Sequence, residues 1–326
     1  MKVFIFTEGG LSNGLGHITR CCSLYDELSE RNIKATIVIN SMLDHSNVLI
    51  GRDHIYFDWT LESNLQTLCF DEVISIVDSY NSSKIVYEYI SDKSLKVLFI
   101  DDVNRIEYPK GIVLNPSLYT DDHEYSRNPD LKYLLGKEYL ILRGAFREST
   151  ERKKIKKELN EILITLGGTD IRRLLPTILS VMRSYPKVKK NIVIGIMKTN
   201  ENELLEFFDE NTQVFSNVDE LEMKELMQKS DLAISATGQT IYELLSVGTP
   251  FIPIQVIENQ KYTVKGLKKY KLVNNMLNWD DSDLPTKLKK EIDFFHKYEN
   301  RKKFNQKYKE IIDLNGVTRI IAELLK

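Results

Sequence analysis

VFIFTEGGLSNGLGHITRC, Val3 to Cys21, decides the fold. It opens as a short β-branched and aromatic run, VFIF, and breaks into a turn holding Gly9, Gly10, Gly14 and Gly16. It resumes as a helix pattern, ITRCCSLYDELSERN, with Ile18, Cys21, Cys22, Leu24, Tyr25 and Leu28 on one side. ATIVI (Ala35–Ile39) follows. Continuous apolarity in both runs, rather than alternation, predicts strands buried on both faces of a parallel sheet. Strand, helix and strand make a βαβ unit, the building block of a doubly wound domain.

Working outward, VISIV (Val73–Val77) and VLFI (Val97–Ile100) predict further strands of the same sheet. The pattern then restarts. ILITL (Ile162–Leu166), NIVIGI (Asn191–Ile196), LAISA (Leu232–Ala236) and FIPIQV (Phe251–Val256) predict strands. LLPTILSVMRSY and QTIYELLSV predict helices between them. The charged stretch from Arg147 to Asn160 is the natural boundary, a linker with one surface helix. From Pro285 the chain reads as helices, and NGVTRIIAELLK as a packed terminal one. The expected fold class is therefore α/β, with two Rossmann-like doubly wound domains facing across a cleft. The expected ranges are 1–150, and 151–326 with the C-terminal helices.

Length and composition set outer limits. A chain of 326 residues buries a large core and suits two domains. A net charge of −2 supplies no global field to recruit nucleic acid. The lysine runs KKIKKE (Lys153–Glu158) and KLKKE (Lys287–Glu291) carry acidic neighbours and read as solvated helix faces. Three cysteines, Cys21, Cys22 and Cys69, form no C-x-x-C pair and offer no metal cage. No apolar run approaches the ~18 residues of a membrane helix, and KVFIFT is too short for a signal-peptide core. The expectation is a cytoplasmic protein without stable membrane insertion or nucleic-acid partner, as a monomer or weak homodimer.

The opening turn is not a dinucleotide fingerprint. Gly14 and Gly16 are followed by Thr19 where a third glycine belongs, and the second strand ends at Asn40 with no acid for an adenosine ribose. No Gly-Lys-Ser/Thr follows, which removes the P-loop. What remains is physical: Gly14 and Gly16 allow a tight turn and close approach of a ligand. His17 falls in the first helical turn, beside free N–H groups and the positive dipole end. That position disfavours an imidazolium and leaves a ring usable as a base, or one that merely caps its helix.

Ligands in open α/β sheets gather beyond the carboxyl ends of strands. LGGTD places Gly167 and Gly168 there, followed by Thr169 and Asp170; such a turn presents amides to a phosphate or simply closes. In SATGQTIYELL, Thr237 and Gly238 leave a strand, and Gln239 and Thr240 begin a helix whose N-terminus suits a diphosphate. Glu243 lies one turn in, where a carboxylate accepts ribose hydroxyls or stands on the surface. The amides of Asn259 and Gln260 in IENQ suit sugar hydroxyls or start the next helix. VDSY (Val77–Tyr80) and IDDV (Ile100–Val103) also end strands. Adjacent extended residues point to opposite faces, so Asp101 and Asp102 are poor joint metal ligands.

Eight motifs in chain order resemble one family: GLGHITRC, IVDSY, LFIDD, LNPSLY (Leu114–Tyr119), YLLGKEYLILRGAF (Tyr133–Phe146), LITLGGTD, ATGQTIYELLSVGTPFI and the ENQ at Glu258–Gln260. The family is the UDP-sugar hydrolases of pseudaminic acid biosynthesis, with their spore-coat polysaccharide relatives. These are similar in fold to the MurG-type GT-B glycosyltransferases. The resemblance implies that His17 is the catalytic base, with Gly14 and Gly16 shaping a sugar pocket lined by Tyr80 and Arg20. It implies that Gly168, Thr237, Gly238, Gln239 and Thr240 hold uridine and diphosphate, with Glu243 on the ribose and Asn259 and Gln260 facing the sugar. The implied reaction is hydrolysis of UDP-2,4-diacetamido-2,4,6-trideoxy-β-L-altropyranose, with inversion and departure of UDP. No cofactor and no metal are expected. The alternatives are a GT-B glycosyltransferase passing the sugar to an acceptor, and a non-catalytic nucleotide-sugar sensor. A transferase with a lipid-linked acceptor needs an apolar, basic membrane-facing patch, and the sequence shows no strongly amphipathic basic helix near the first domain.

Overall fold

The computed structural model divides the chain into two compact units, Met1–Gly144 with Asp313–Lys326, and Ala145–Ile312. The structure describes all residues except 11–14, 43–44, 124, 126–127, 149–153, 169 and 196–203. Gly14 and Thr169 therefore lie outside the described residues.

Among the described residues, unit 1 carries β1 (Lys2–Glu8), β2 (Ala35–Asn40), β3 (His54–Tyr56), β4 (Val73–Asp78), β5 (Lys96–Ile100), β6 (Gly111–Asn115) and β7 (Leu131–Leu135). They pair in the order β3-β2-β1-β4-β5-β6-β7, every pair parallel. The central β1 is buried from Val3 to Glu8 and β4 along its whole length, which is why their apolar runs do not alternate. Strand order reverses at β1, whose neighbours are β2 and β4. That reversal opens a crevice at the carboxyl ends of β1 and β4. Register places Thr7 opposite Asp78, and Asp78 opposite Ile100. Residues just beyond those points are thereby neighbours.

Unit 2 repeats the plan with β8 (Glu161–Thr165), β9 (Lys189–Ile194), β10 (Thr212–Ser216), β11 (Leu232–Ala236), β12 (Phe251–Gln255) and β13 (Leu277–Asn278). The order is β10-β9-β8-β11-β12-β13, again all parallel. Its reversal falls between β8 and β11, so the loops after Thr165 and Ala236 take the places held by those after Glu8 and Asp78 in unit 1.

Four expectations need correction. The division lies at Gly144 rather than 150, and the final helix, Gly316–Leu325, belongs to unit 1 rather than to the second domain. Its Val317, Ile320, Ile321 and Leu324 are fully buried beside Cys21, Leu24 and Leu28 of the helix Gly16–Glu30. Each such burial is worth about 1.5–3 kcal/mol, which suffices to bring the end of the chain back. Gly316 permits the approach, because a Cβ there would run into the Leu140 carbonyl. The surface helix expected before Asn160 is absent from its described part, 154–160, so Lys154–Glu158 form no helix face. Lys287 and Lys289 do lie on the helix Leu284–His296, paired with Asp281, Asp283 and Asp293. Finally, β3, β6, β7, β10 and β13 were not expected. Four of these contain exposed or half-buried positions at or near sheet edges, where no continuous apolar run is required.

Candidate functional site

At the carboxyl ends of β1 and β4, unit 1 gathers a charged cluster. His17 stands in the first turn of the helix Gly16–Glu30 and is buried. It makes no cap hydrogen bond; the helix follows Leu15, and the His17 ring turns to Asp78, the last residue of β4. His17 Nδ1 lies 2.7 Å from Asp78 Oδ1. Arg20, one turn on, grips the same carboxylate as a fork: Nε donates to Oδ2 at 2.5 Å and Nη2 to Oδ1 at 2.6 Å. Its Nη1 donates to Asp102 Oδ2 at 2.6 Å, so a residue expected on the substrate is held between two carboxylates. Burial by itself would push the Asp78 carboxyl up, but Arg20 and His17 outweigh it and hold the group well below the usual carboxylate range. Burial lowers Arg20, yet Asp102 and Asp78 hold its guanidinium well above its ordinary value.

Tyr80 joins the cluster from the loop after β4. Its ring packs edge-on against His17, centroids 4.6 Å apart, and its hydroxyl donates to Asp102 at 3.1 Å. Burial first, and then Asp102, push that hydroxyl far above the ordinary tyrosine range, so it stays protonated. The loop is pinned from β1: the buried Glu8 carboxylate accepts from Ser79 Oγ at 2.5 Å, Tyr80 N at 2.8 Å and Asn81 Nδ2 at 3.2 Å. Asp101 turns the other way, accepting from Val103 N, Arg105 N and the Tyr108 hydroxyl, which shapes the next loop. The adjacent acids thus serve separate networks, as extended geometry requires. Among the described residues no group of three or more His, Cys, Asp or Glu is arranged to hold a metal ion.

Gly16 behaves differently from the expectation of a tight turn. It is the first residue of the helix, its φ is not positive, and no protein atom lies within 4 Å of where a Cβ would stand. Protein packing does not demand glycine at that exposed point.

The strand ends of unit 2 are built mostly from backbone and neutral side chains, with the acids Asp170 and Glu243 in the segments that follow. Gly167 has φ +90°, a conformation glycine adopts without strain, and a Cβ on Gly195 would run into Gly168. Asp170 accepts from the backbone N–H groups of Leu174 and Leu175, both at 2.8 Å, which fixes the start of the helix Leu175–Met182. Thr237 is buried, and its hydroxyl donates to Gln260 Oε1 at 2.8 Å; Val256 N donates to the same oxygen at 2.9 Å. Gln260 thereby clamps two strand-end loops, with Gly238 beside its amide nitrogen. Gln239 precedes the helix Thr240–Val247, and Glu243 is buried on its first turn. Asn259 is exposed next to the clamp. The expected residues from Thr237 to Glu243 and Gln260 are therefore one neighbourhood, with Gly168 at the end of the adjoining strand β8.

Sequence reasoning missed three residues. Asp78 stood inside VDSY without a role. Glu8, a lone acid ending a buried strand, was itself a signal, since a carboxylate there must be paired. Arg172 donates through Nε to the Val256 carbonyl at 2.9 Å and stacks over Trp279 at 3.9 Å, a contact across more than a hundred residues that no local pattern announces.

Comparison with known proteins fits this geometry. Residues 161–322 match the glycosyltransferase family 28 C-terminal domain. The spore coat polysaccharide biosynthesis protein SpsG of Bacillus subtilis (strain 168) is 25% identical over 282 residues, covering 81% of this chain and 80% of that protein. A Helicobacter pylori protein (strain ATCC 700392 / 26695) is named pseudaminic acid cytidylyltransferase and UDP-2,4-diacetamido-2,4,6-trideoxy-beta-L-altropyranose hydrolase. It is 27% identical over 265 residues, which cover 80% of this chain but only 45% of that longer, two-activity protein. Among solved structures, MurG of Acinetobacter baumannii superposes with a TM-score of 0.66 at 12% identity, over 100% of this chain and 99% of that one, a likeness of fold. Among the described residues no helix is long and apolar enough to cross a membrane.

Proposed function

We propose that this chain, a GT-B protein with a glycosyltransferase family 28 C-terminal domain and homologous to SpsG and the pseudaminic acid protein, is a nucleotide-sugar hydrolase. Its substrate is a UDP-linked amino sugar of the diacetamido-trideoxy-altrose type. Water attacks the anomeric carbon while the bond from that carbon to the diphosphate oxygen breaks, and UDP leaves with the electron pair. The sugar is released with inverted configuration. His17 takes the proton from the attacking water. Gly168, Thr237, Gly238, Gln239 and Thr240 form the nucleotide diphosphate seat, Glu243 accepts the ribose hydroxyls, and Asn259 and Gln260 face the sugar. Gly16 and Tyr80 border the sugar beside the base.

The observation that carries this reading is the buried histidine at the sheet reversal of unit 1, with Asp78 at 2.7 Å. A side chain wired to a carboxylate at a ligand crevice can exchange a proton with a reactant. A transferase and a hydrolase of this fold release the same nucleotide and differ in whether the acceptor is an alcohol or water. The test is incubation of the pure protein with a panel of UDP-sugars and no acceptor. UDP and free sugar are the expected products.

A second reading, a GT-B glycosyltransferase, draws on the family 28 match and on one structural feature. Met42, Ile50, Ile55, Tyr56 and Leu61 are all exposed in the segment around β3. Apolar exposure of that kind suits a hydrophobic acceptor or its membrane. Silence across the sugar panel, with UDP released only on adding an acceptor, would establish this second reading.

A further inference from the structure

We infer that Asp78 is a positioning residue that fixes the His17 ring with its proton on Nδ1, leaving Nε2 as the accepting atom. Arg20, on this inference, serves to keep Asp78 ionised rather than to touch a reactant. This deepens the hydrolase reading of the same histidine and rests on it for turnover alone; the state of the ring is independent of it.

The argument starts from what each atom can donate. An ionised carboxylate only accepts, so the ring nitrogen 2.7 Å from Asp78 Oδ1 must carry the hydrogen. A neutral imidazole has one N–H, so Nε2 holds the lone pair. Arg20 presses for the opposite arrangement. Its Nη2 stands 3.3 Å from His17 Nδ1, and a guanidinium only donates. Were Arg20 the sole neighbour, it would donate to Nδ1 and drive the ring proton to Nε2, where it would block base catalysis. Asp78 reverses that outcome by drawing Nη2 onto its own Oδ1 at 2.6 Å.

The surrounding groups hold Asp78 in this role. It is fully buried, and among the described residues its carboxylate meets, besides His17 and the two Arg20 bonds, the Cys21 thiol, 3.7 Å from Oδ2. Asp102 anchors the third arm of Arg20 and takes the Tyr80 hydroxyl, so the guanidinium cannot swing away from Asp78 without breaking that bond too. When Nε2 accepts the proton of the attacking water, the ring becomes an imidazolium with hydrogens on both nitrogens. Asp78 does not take the Nδ1 proton, because doing so would give up both charge-assisted bonds of the Arg20 fork. Two carboxylates against one guanidinium leave a net charge of −1 in the cluster to offset the imidazolium.

Long-range 1H–15N correlation spectra of the histidine rings, with His17 assigned by its loss in His17→Gln, test this directly. At a pH where the ring is neutral, the wild type should show a protonated Nδ1 and an unprotonated Nε2. In Asp78→Asn, where Arg20 is freed to donate to Nδ1, the proton should shift to Nε2. Turnover of that variant should fall roughly 10²–10⁴-fold with KM within about twofold, since geometry survives and proton acceptance does not. A wild-type ring protonated on Nε2 overturns the inference, whether or not the variant folds. Wild-type turnover in a folded Asp78→Asn overturns it as well. If the wild type releases no UDP from any sugar, the hydrolase reading falls, and the ring spectra still decide this inference.

Discussion

The carboxyl ends of the two sheets invite comparison, because topology makes them equivalent and chemistry makes them opposites. In both units strand order reverses at the first strand, and the functional loops follow that strand and its later neighbour. Unit 1 fills the crevice with His17, Arg20, Asp78 and Asp102, interlocked at 2.5–2.7 Å. Unit 2 places Gly168, Thr237, Gly238 and Gln260, neutral groups that shape backbone, at its own strand ends, with one buried acid, Glu243, on the helix that follows. Charges are costly to take out of water, and unit 1 holds three of them, on Arg20, Asp78 and Asp102, around one histidine, which is the setting the proposed proton transfer calls for. The proposed diphosphate seat lies at the start of the helix Thr240–Val247, where the first N–H groups of a helix have no partner within it. On the proposed reading, the same βαβ plan carries proton transfer at one site and nucleotide binding at the other.

The comparison can be broken from its strongest side first. His17→Asn keeps size and hydrogen bonding but cannot accept a proton, so turnover should drop roughly 10²–10⁴-fold. UDP affinity, assigned to unit 2, should not change. Steady-state rates and calorimetry on one preparation check both halves; a wild-type rate would reduce His17 to a structural residue. Next is Glu243→Ala, expected to weaken UDP binding by about 1.5–3 kcal/mol through loss of a charge-assisted hydrogen bond, with no effect on the unit 1 cluster. Calorimetry showing unchanged affinity would remove Glu243 from the site. Glu8→Ala strips the acceptor from Ser79 and the Tyr80 backbone, and should cost about 1–3 kcal/mol of stability in denaturant unfolding. A fully stable variant would mean that the loop carrying Tyr80 is held some other way. The smallest effect is expected from chelation. If helix starts and amides offset the diphosphate charge, EDTA should leave turnover as it was. Activity abolished by chelation and restored by Mg²⁺ would require a metal and a new reading of Asp102.

The strands most legible in the sequence were those buried on both faces. VFIF, VISIV, LAISA and FIPIQV each announced themselves, because a strand covered on both sides is mostly apolar and does not alternate. The edges were not legible: HIY and TQVFS have only exposed and half-buried positions and LKYLL a single buried one, and a three- to five-residue run of that kind looks like a loop. The return of the final helix to unit 1 was hidden for a different reason. NGVTRIIAELLK shows an apolar face but not which surface it covers, and Gly316 against Leu140 is known only in three dimensions. At the site, His17 and Tyr80 were visible through their motifs, while Asp78 was passed over although it lay two residues from Tyr80. Its importance comes from register, Thr7 opposite Asp78, which sets the end of β4 beside the start of the helix.

The account's central claim is that water, activated by His17, attacks the sugar carbon. Turnover of the preferred UDP-sugar in H₂¹⁸O, without acceptor and followed by mass spectrometry, tests it most directly. The account predicts one ¹⁸O on the anomeric carbon of the released sugar, none in UDP, and loss of the labelled sugar in His17→Asn. Label in the UDP phosphate would place the attack on phosphorus and contradict it.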